Sequence, residues 1–422
     1  MSLPPTLVAC DDARQKNEQQ HKSGWFQFMK SVATFKGDLA SLSAPPFLLS
    51  PDSICQFSQY FNDHPALLVA PAKEQNAEKR ALLVMKWYLS GLRRQMATRN
   101  DDGTRKKLKP LNPFLGEIFL GRWMDESGTT ELISEQVSHH PPQTAYRIWN
   151  EEHGVSVEGH IGPRSFFSHT INIERKGFGT FRIDGYDEDH LFTMPKVHVE
   201  GIMTFQIAPE LGGTSYIHSS SGYTTKIEYC SKGWLRGASH CFKATLFRDG
   251  AEKSPLYTAA GSWDGTYTIA NSNGKVIETV DLASLKRTPL QVAPVEKQHP
   301  LETGRAWQHV IDAINNSDIF AIGHEKGKIE NAQRALRKEE AREGRIWEQR
   351  YFTAAANDAA VEKLVLRGKS EPCNDYRVFW KFDRSKHDRV RENQLRGLKS
   401  PMHARFDSGI GVLPDDVALE RD

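Results

Sequence analysis

Residues 135–142 read Glu135-Gln136-Val137-Ser138-His139-His140-Pro141-Pro142, two imidazoles side by side followed by two prolines. Proline fixes its own φ and drives the residue before it out of the helical region, so His140 is expected on extended backbone. Neighbouring side chains on extended backbone point to opposite faces. Both rings can therefore serve one ligand only if the chain bends or the ligand is large. Three readings are open. Ring N–H donors on a stiff edge suit an anionic oxygen cluster such as a phosphate. A metal site would need a third and a fourth ligand from elsewhere. The third reading is a surface pair with no role.

Two further segments could join them. Lys106-Lys107-Leu108-Lys109-Pro110-Leu111-Asn112-Pro113 is a basic loop closed by two prolines, running into a strand near Ile118. Its plain reading is a solvated loop. Its functional reading is a Lys and an Asn held on stiffened backbone beside an anion. Lys326, Glu330 and Arg334 lie at i, i+4 and i+8, on one stripe of a charged helix. Such stripes are ordinarily surface ion pairs worth a few tenths of a kcal/mol. Gly327 costs about 1 kcal/mol of helix propensity, so the helix is expected to begin nearer Lys328.

Enzyme chemistry finds little support. The chain has no HExxH, no G-x-S-x-G and no Walker loop. Among its 422 residues the formal net charge is +2, which argues against a bulk nucleic-acid binder. Five widely spaced cysteines with no CxxC indicate neither a disulfide framework nor a zinc ribbon, and fit a reducing cytosol. The N-terminus lacks the pattern of a secretory signal, and no apolar run approaches the ~18 residues of a membrane span.

The elements that must hold these groups are legible as patterns. Residues 1–23 are polar and expected to be flexible. Trp25, Phe28, Met29, Val32, Phe35 and Leu39 then follow a helical stripe. That stripe reads as a core-facing helix, with a lid or membrane-touching helix as the alternative. A Pro-rich stretch at 44–51 ends it, and helices are expected at about 52–63 and 77–98. From 113 to 281 short aromatic and β-branched runs alternate with turn pairs such as Asp249-Gly250 and Asn273-Gly274. That implies an all-β barrel or sandwich, large enough to enclose a ligand. A Pro-containing connector at 284–301 leads into a C-terminal helical region from 303.

The string EQVSHHPP resembles the signature of the oxysterol-binding protein family, as do Lys109 to Glu117 and Ile329 to Glu340. The resemblance covers nearly the whole chain and is to the short, stand-alone fungal Kes/Osh type. It implies a large incomplete antiparallel β-barrel around a lipid tunnel, with flanking helices. Residues 24–422 would form one lipid-binding domain: lid 24–50, helices 52–100, barrel 113–281 and helical region 303–422. It implies a lipid exchanger, not an enzyme, that holds phosphatidylinositol 4-phosphate and a sterol of ergosterol type in turn. Neither cofactor nor metal is implied. A cytoplasmic monomer touching Golgi or endoplasmic-reticulum membranes transiently would be the working form.

By matching positions, Lys109, Leu111 and Asn112 would lie near the glycerol phosphate, while His139, His140 and Arg334 hold the 4-phosphate. Lys326 and Glu330 would flank the inositol ring. Trp25, Phe28 and Leu39 match the lid, and Gln95 the residue that meets the sterol hydroxyl. The sterol end departs from the pattern: Met96 replaces an aromatic, Gly177 stands where a Gln is expected, and the Gly159 to Arg164 stretch lacks an Asn. The phosphoinositide is thus the firmer cargo. A carrier or sensor whose second lipid is phosphatidylserine, or absent, is the alternative.

Overall fold

Period-2 alternation in the middle of the chain folds into long antiparallel strands whose two faces meet different layers. The computed structural model of the chain describes residues 28–35, 39, 48–97, 109–168, 170–200, 208–230, 239–355, 361–362, 364 and 379–395. A small parallel pair, β1 (Leu49–Ser53) with β2 (Lys109–Leu111), precedes the main sheet. That sheet opens with β3 (Ile118–Asp125), β4 (Gly128–His139), β5 (Pro142–Asn150), β6 (Val155–Ser168) and β7 (Thr170–Ile183). It continues through β8 (Glu188–Thr193), β9 (Lys196–Glu200), β10 (Ala208–Gly212), β11 (Thr214–Ser219) and β12 (Tyr223–Tyr229). The last four strands are β13 (Cys241–Arg248), β14 (Tyr257–Ser262), β15 (Thr266–Asn271) and β16 (Val276–Asp281).

Consecutive strands pair in order, except that β8 skips to β11 while β9 and β10 form a flap on β7. The sheet ends at β3 and β16 and does not close on itself, giving an incomplete barrel. The β3 edge is covered instead by the returning connector: Arg122 and Gln291 exchange backbone hydrogen bonds of 3.0 and 2.8 Å. Covering an edge in this way denies it to other chains.

Helix α2 (Ala77–Gln95) fills the inside. Asn76 caps it, its side chain accepting from the Lys79 N–H. Trp87 packs edge-on against Phe181 and Phe192, with ring centroids 4.9 and 5.4 Å apart. Tyr146 and Ile148 of β5 join this inner core, whereas their neighbours Ala145 and Trp149 face outward into a second one. The outer core holds Trp307, Val310 of α3 (Gln308–Asn315), Ile322 and Ile329 of α4 (Ile319–Glu343), and Tyr351. The β3–β5 wall is thus buried on both faces.

Three expectations need correction. The helix expected at 52–63 is a 3-10 helix over Ile54–Phe61, started by a Ser53/Gln56 capping box. The charged helix does not begin at Lys328 but at Ile319, running through Gly323 and Gly327. Its N-cap Asp318 accepts from the Ala321 N–H, and Ile322 and Ile329 bury one face. Packing on the barrel outweighs the propensity lost at glycine. The C-terminal region is not purely helical: β17 (Phe352–Ala355) pairs with β18 (Phe379–Phe382) before α5 (Arg384–Leu395).

Candidate anion-binding site

The His pair caps the β4–β5 hairpin. His139 pairs with Pro142 in register, so His140 and Pro141 are the two residues of the turn. The His140–Pro141 peptide is cis. Ser138 donates its hydroxyl to the Pro141 carbonyl at 2.7 Å, and Gln136 Nε2 donates to the Ser138 carbonyl at 2.8 Å. The chain therefore bends at His140. The two rings meet edge to face, with centroids 4.6 Å apart, instead of pointing to opposite sides.

His139 also ties the hairpin to the Lys109–Pro113 segment. Its Nδ1 lies 3.2 Å from the Pro113 carbonyl. A carbonyl only accepts, so Nδ1 carries the proton and Nε2 is the ring nitrogen left without that bond. Burial lowers the His139 pKa, and the neighbouring His140 lowers it further against the Pro113 bond. Asn112, next to Pro113, is half-buried, as is Lys109. Leu111 is fully buried in the outer core, so only its backbone could reach a headgroup.

The third wall is α4. Lys326 Nζ lies 2.8 Å from Glu330, whose other oxygen lies 3.4 Å from Arg334. Arg334 also donates to Asn331 Oδ1 at 2.7 Å. Glu330 raises and Arg337 lowers the His139 pKa, so this helix acts electrostatically on the His pair. Arg337 was not singled out by sequence reasoning. It stacks 5.1 Å from the Trp347 ring and pairs with Glu340 at 3.1 Å. Its place one turn beyond Arg334 was the available signal.

Not every signature residue faces the ligand side. The Glu135 carboxylate is fully buried and accepts the backbone N–H groups of Arg350 and Tyr351 at 2.7 and 2.9 Å. Glu117 does the same work nearby, accepting from Trp307 Nε1 at 2.7 Å and Thr303 Oγ1 at 2.8 Å. Burial pushes both carboxyls up to about 7. They are staples for the outer layer.

The residues matched to a lid and to a deep end form separate groups. Phe28 and Met29 belong to α1, helical at 28–34, and cluster with Leu48, Ile171 of β7 and Val199 of β9. Val32 and Leu39 are buried. Trp25 lies outside the described residues. Gln95 ends α2, with Met96 buried beside it, and accepts a 2.7 Å hydrogen bond from Arg175 of β7. Arg175 was also missed. Among the described residues no group of three or more His, Cys, Asp or Glu side chains could hold a metal ion.

An open barrel with a helix against its rim and a His-bearing hairpin beside a basic helix defines the structural class. Residues 23–321 match the family model described as oxysterol-binding protein. The chain belongs to the oxysterol-binding protein family. Protein kes1 of Schizosaccharomyces pombe is 40% identical over 350 residues, covering 82% of this chain and 90% of that protein. The probable transporter efuK of Hormonema carpetanum is 40% identical over 92% of this chain, which spans only 56% of efuK's length. The fold resembles the Osh1 ORD domain solved with ergosterol, at TM-score 0.66, 18% identity and coverage of 86% and 87% of the two chains. It also resembles the Osh3 ORD of Saccharomyces cerevisiae solved with PI(4)P, at TM-score 0.59, 22% identity and coverage of 77% and 85%.

Proposed function

We propose that this chain is a lipid-transfer protein that takes phosphatidylinositol 4-phosphate and a sterol in turn into one cavity and exchanges them between membranes. The observation that carries this reading is the tie between hairpin, loop and helix. His139 bonds to Pro113 beside Asn112, and the charges of Glu330 and Arg337 act on the same imidazole. His139, His140, Lys326 and Arg334, with Lys109 and Asn112, would supply the donors that a phosphorylated inositol demands. Relatives of the same fold were solved with ergosterol and with PI(4)P, which supports both cargoes.

Extraction of a lipid must offset about 0.8 kcal/mol for each CH₂ leaving the bilayer. Only an enclosed apolar hollow returns that much, and Phe28 and Met29, which cluster with Ile171 and Val199, would supply the cover. Residues 24–422 would act as one domain, a monomer in the cytoplasm that visits Golgi or endoplasmic-reticulum membranes. Among the described residues no helix is long and apolar enough to cross a membrane.

The test is liposome-to-liposome transfer of both lipids by the double variant His139→Ala, His140→Ala. Phosphoinositide transfer is expected to fall at least about tenfold, the loss of one or more charge-assisted hydrogen bonds. Sterol uptake should persist. Equal loss of both cargoes would overturn the assignment of the His pair to the headgroup.

A further inference from the structure

Along β7 the residues Ile171, Ile173, Arg175, Gly177, Gly179 and Phe181 share one face. Phe181 lies in the inner core, Ile173 packs on it and Ile171 packs on the lid helix, so this is the inward face. One cation stands in the middle of it.

Burial changes abruptly at that residue. Gly177, Gly179 and Phe181 are sealed, whereas Arg175, Ile173 and Ile171 keep accessible surface. So do Ser165 and Phe167, their cross-strand partners on β6. A hollow entered beneath Phe28 and Met29, which pack with Ile171, would have Arg175 at its floor. Ile171 and Arg175 are four residues apart, roughly 13 Å along the strand, which is depth for a rigid polycyclic body. Gly177 cannot supply the floor itself: its φ is +117°, and a Cβ there would lie 2.1 Å from the His160 carbonyl oxygen.

The guanidinium has too few acceptors. Nη1 donates to Gln95 Oε1 at 2.7 Å and Nε to the Pro195 carbonyl at 3.4 Å. Nη2 is buried and has no hydrogen-bond partner, and neither does the nearby Tyr146 hydroxyl. The titratable groups that act on Arg175 are Tyr88, Tyr146 and Tyr229, with no carboxylate among the described residues. Tyr88 spends its proton on the Thr193 carbonyl at 2.8 Å. Arginine does not deprotonate in proteins, and an unpaired cation out of water is costly. A neutral hydroxyl offers it one oxygen, whereas an oxyanion offers two acceptors in a fork and the missing charge.

We propose that Arg175 makes the deep end of the cavity a receptor for an apolar polycyclic lipid that leads with an oxyanion, a carboxylate or a sulfate, in preference to a neutral sterol. This rests on the cavity being a lipid site and refines the identity of the second cargo.

The test is displacement of a fluorescent sterol from the full chain by cholesterol and by cholesterol sulfate, with extraction of phosphatidylinositol 4-phosphate from liposomes scored in the same preparation. Cholesterol sulfate should displace at about tenfold lower concentration than cholesterol, the advantage of a charge-assisted pair. Arg175→Gln should erase that advantage, so that cholesterol sulfate and cholesterol displace the probe within about twofold of each other. Equal displacement by the two sterols, or an advantage that survives in R175Q, overturns the proposal. The wild-type comparison decides it even if R175Q fails to fold. Extraction of the phosphoinositide without a sulfate preference overturns the role of Arg175 alone. Failure to bind either class of lipid overturns the exchange function and this proposal together.

Discussion

His139 donates through Nδ1 to Pro113, so any donor it offers a phosphate must come from Nε2. Nε2 donates only when the ring holds its second proton. Burial and His140 lower the pKa of the free protein below the usual 6.5, so near neutral pH the ring is uncharged. An arriving phosphate raises that pKa, and binding takes up a proton. The sign follows: affinity for phosphatidylinositol 4-phosphate should rise as pH falls from 8 toward 6, by up to about tenfold per unit. It levels off below the free-state pKa. Liposome extraction at pH 8, 7 and 6 measures this, and His139→Ala should flatten the profile. A wild-type profile already flat would mean that His139 gives no proton to the headgroup. At this scale the sequence displayed the His pair and the Lys-Glu-Arg stripe plainly. It concealed the edge-on meeting of the rings, because the bend depends on the register that pairs His139 with Pro142. It concealed Arg175 more thoroughly. Flanked by Glu174 and Lys176, that residue reads as part of a solvated charge run, and only the strand's inward face gives it meaning.

Among the elements, α2 shows why periodicity served and where it stopped. Its apolar residues mark a helix buried on most sides, as found. What anchors it is polar: Arg80 reaches Glu188 of β8 at 2.6 Å, with His190 at 3.0 Å and Ser221 donating at 2.8 Å. Burial would raise the Glu188 carboxyl, but the bonds from His190, Arg80 and Ser221 outweigh it and hold the pKa at about 2. No spacing rule joins residues 80 and 188, so the sequence could not announce this contact. The pair is shielded from water yet shallow, and Glu188→Ala should cost about 3 kcal/mol, the low end for a buried pair that loses one partner. Urea unfolding measures it. The double variant R80M/E188L, which leaves no orphan charge, should lose clearly less. A double variant as unstable as E188A would show that packing, not charge, carries the anchor. The start of α4 fails for a related reason. Local propensity placed it after Gly327, while burial of Ile322 and Ile329 on the outer core extends it back to Asp318.

For the whole molecule, one wall separates two cores, and two buried carboxylates fasten the outer layer to it. Glu117 holds Thr303 and Trp307, and Glu135 holds the backbone of Arg350 and Tyr351. Alternation in β3–β5 forecast strands, but a wall covered on both sides by distant segments is a tertiary fact. Both carboxyls titrate near 7 in the fold, against about 4.3 in the unfolded chain. The folded state therefore binds more protons between those values. Stability from these groups is complete below about 4.3 and is lost as pH rises to 7, at up to about 1.4 kcal/mol per unit per group, with the loss tailing off above 7. Other groups oppose this at lower pH. Burial holds His160 down at about 4, and Glu188 sits at about 2, so both favour the fold only as pH increases from the acid side. Those contributions are fully present once the unfolded histidine has lost its proton, about a unit above 6.5, and change no further. From pH 6.5 to 8 the carboxylates should dominate, and the urea midpoint should fall. Glu135→Gln removes one of the two titrations. It should start less stable at pH 6.5, having one acceptor fewer, yet lose roughly half as much by pH 8. Midpoints measured at both pH values for the two proteins decide it. Parallel declines would show that Glu135 is already ionised in the fold, and that its two N–H bonds outweigh its burial.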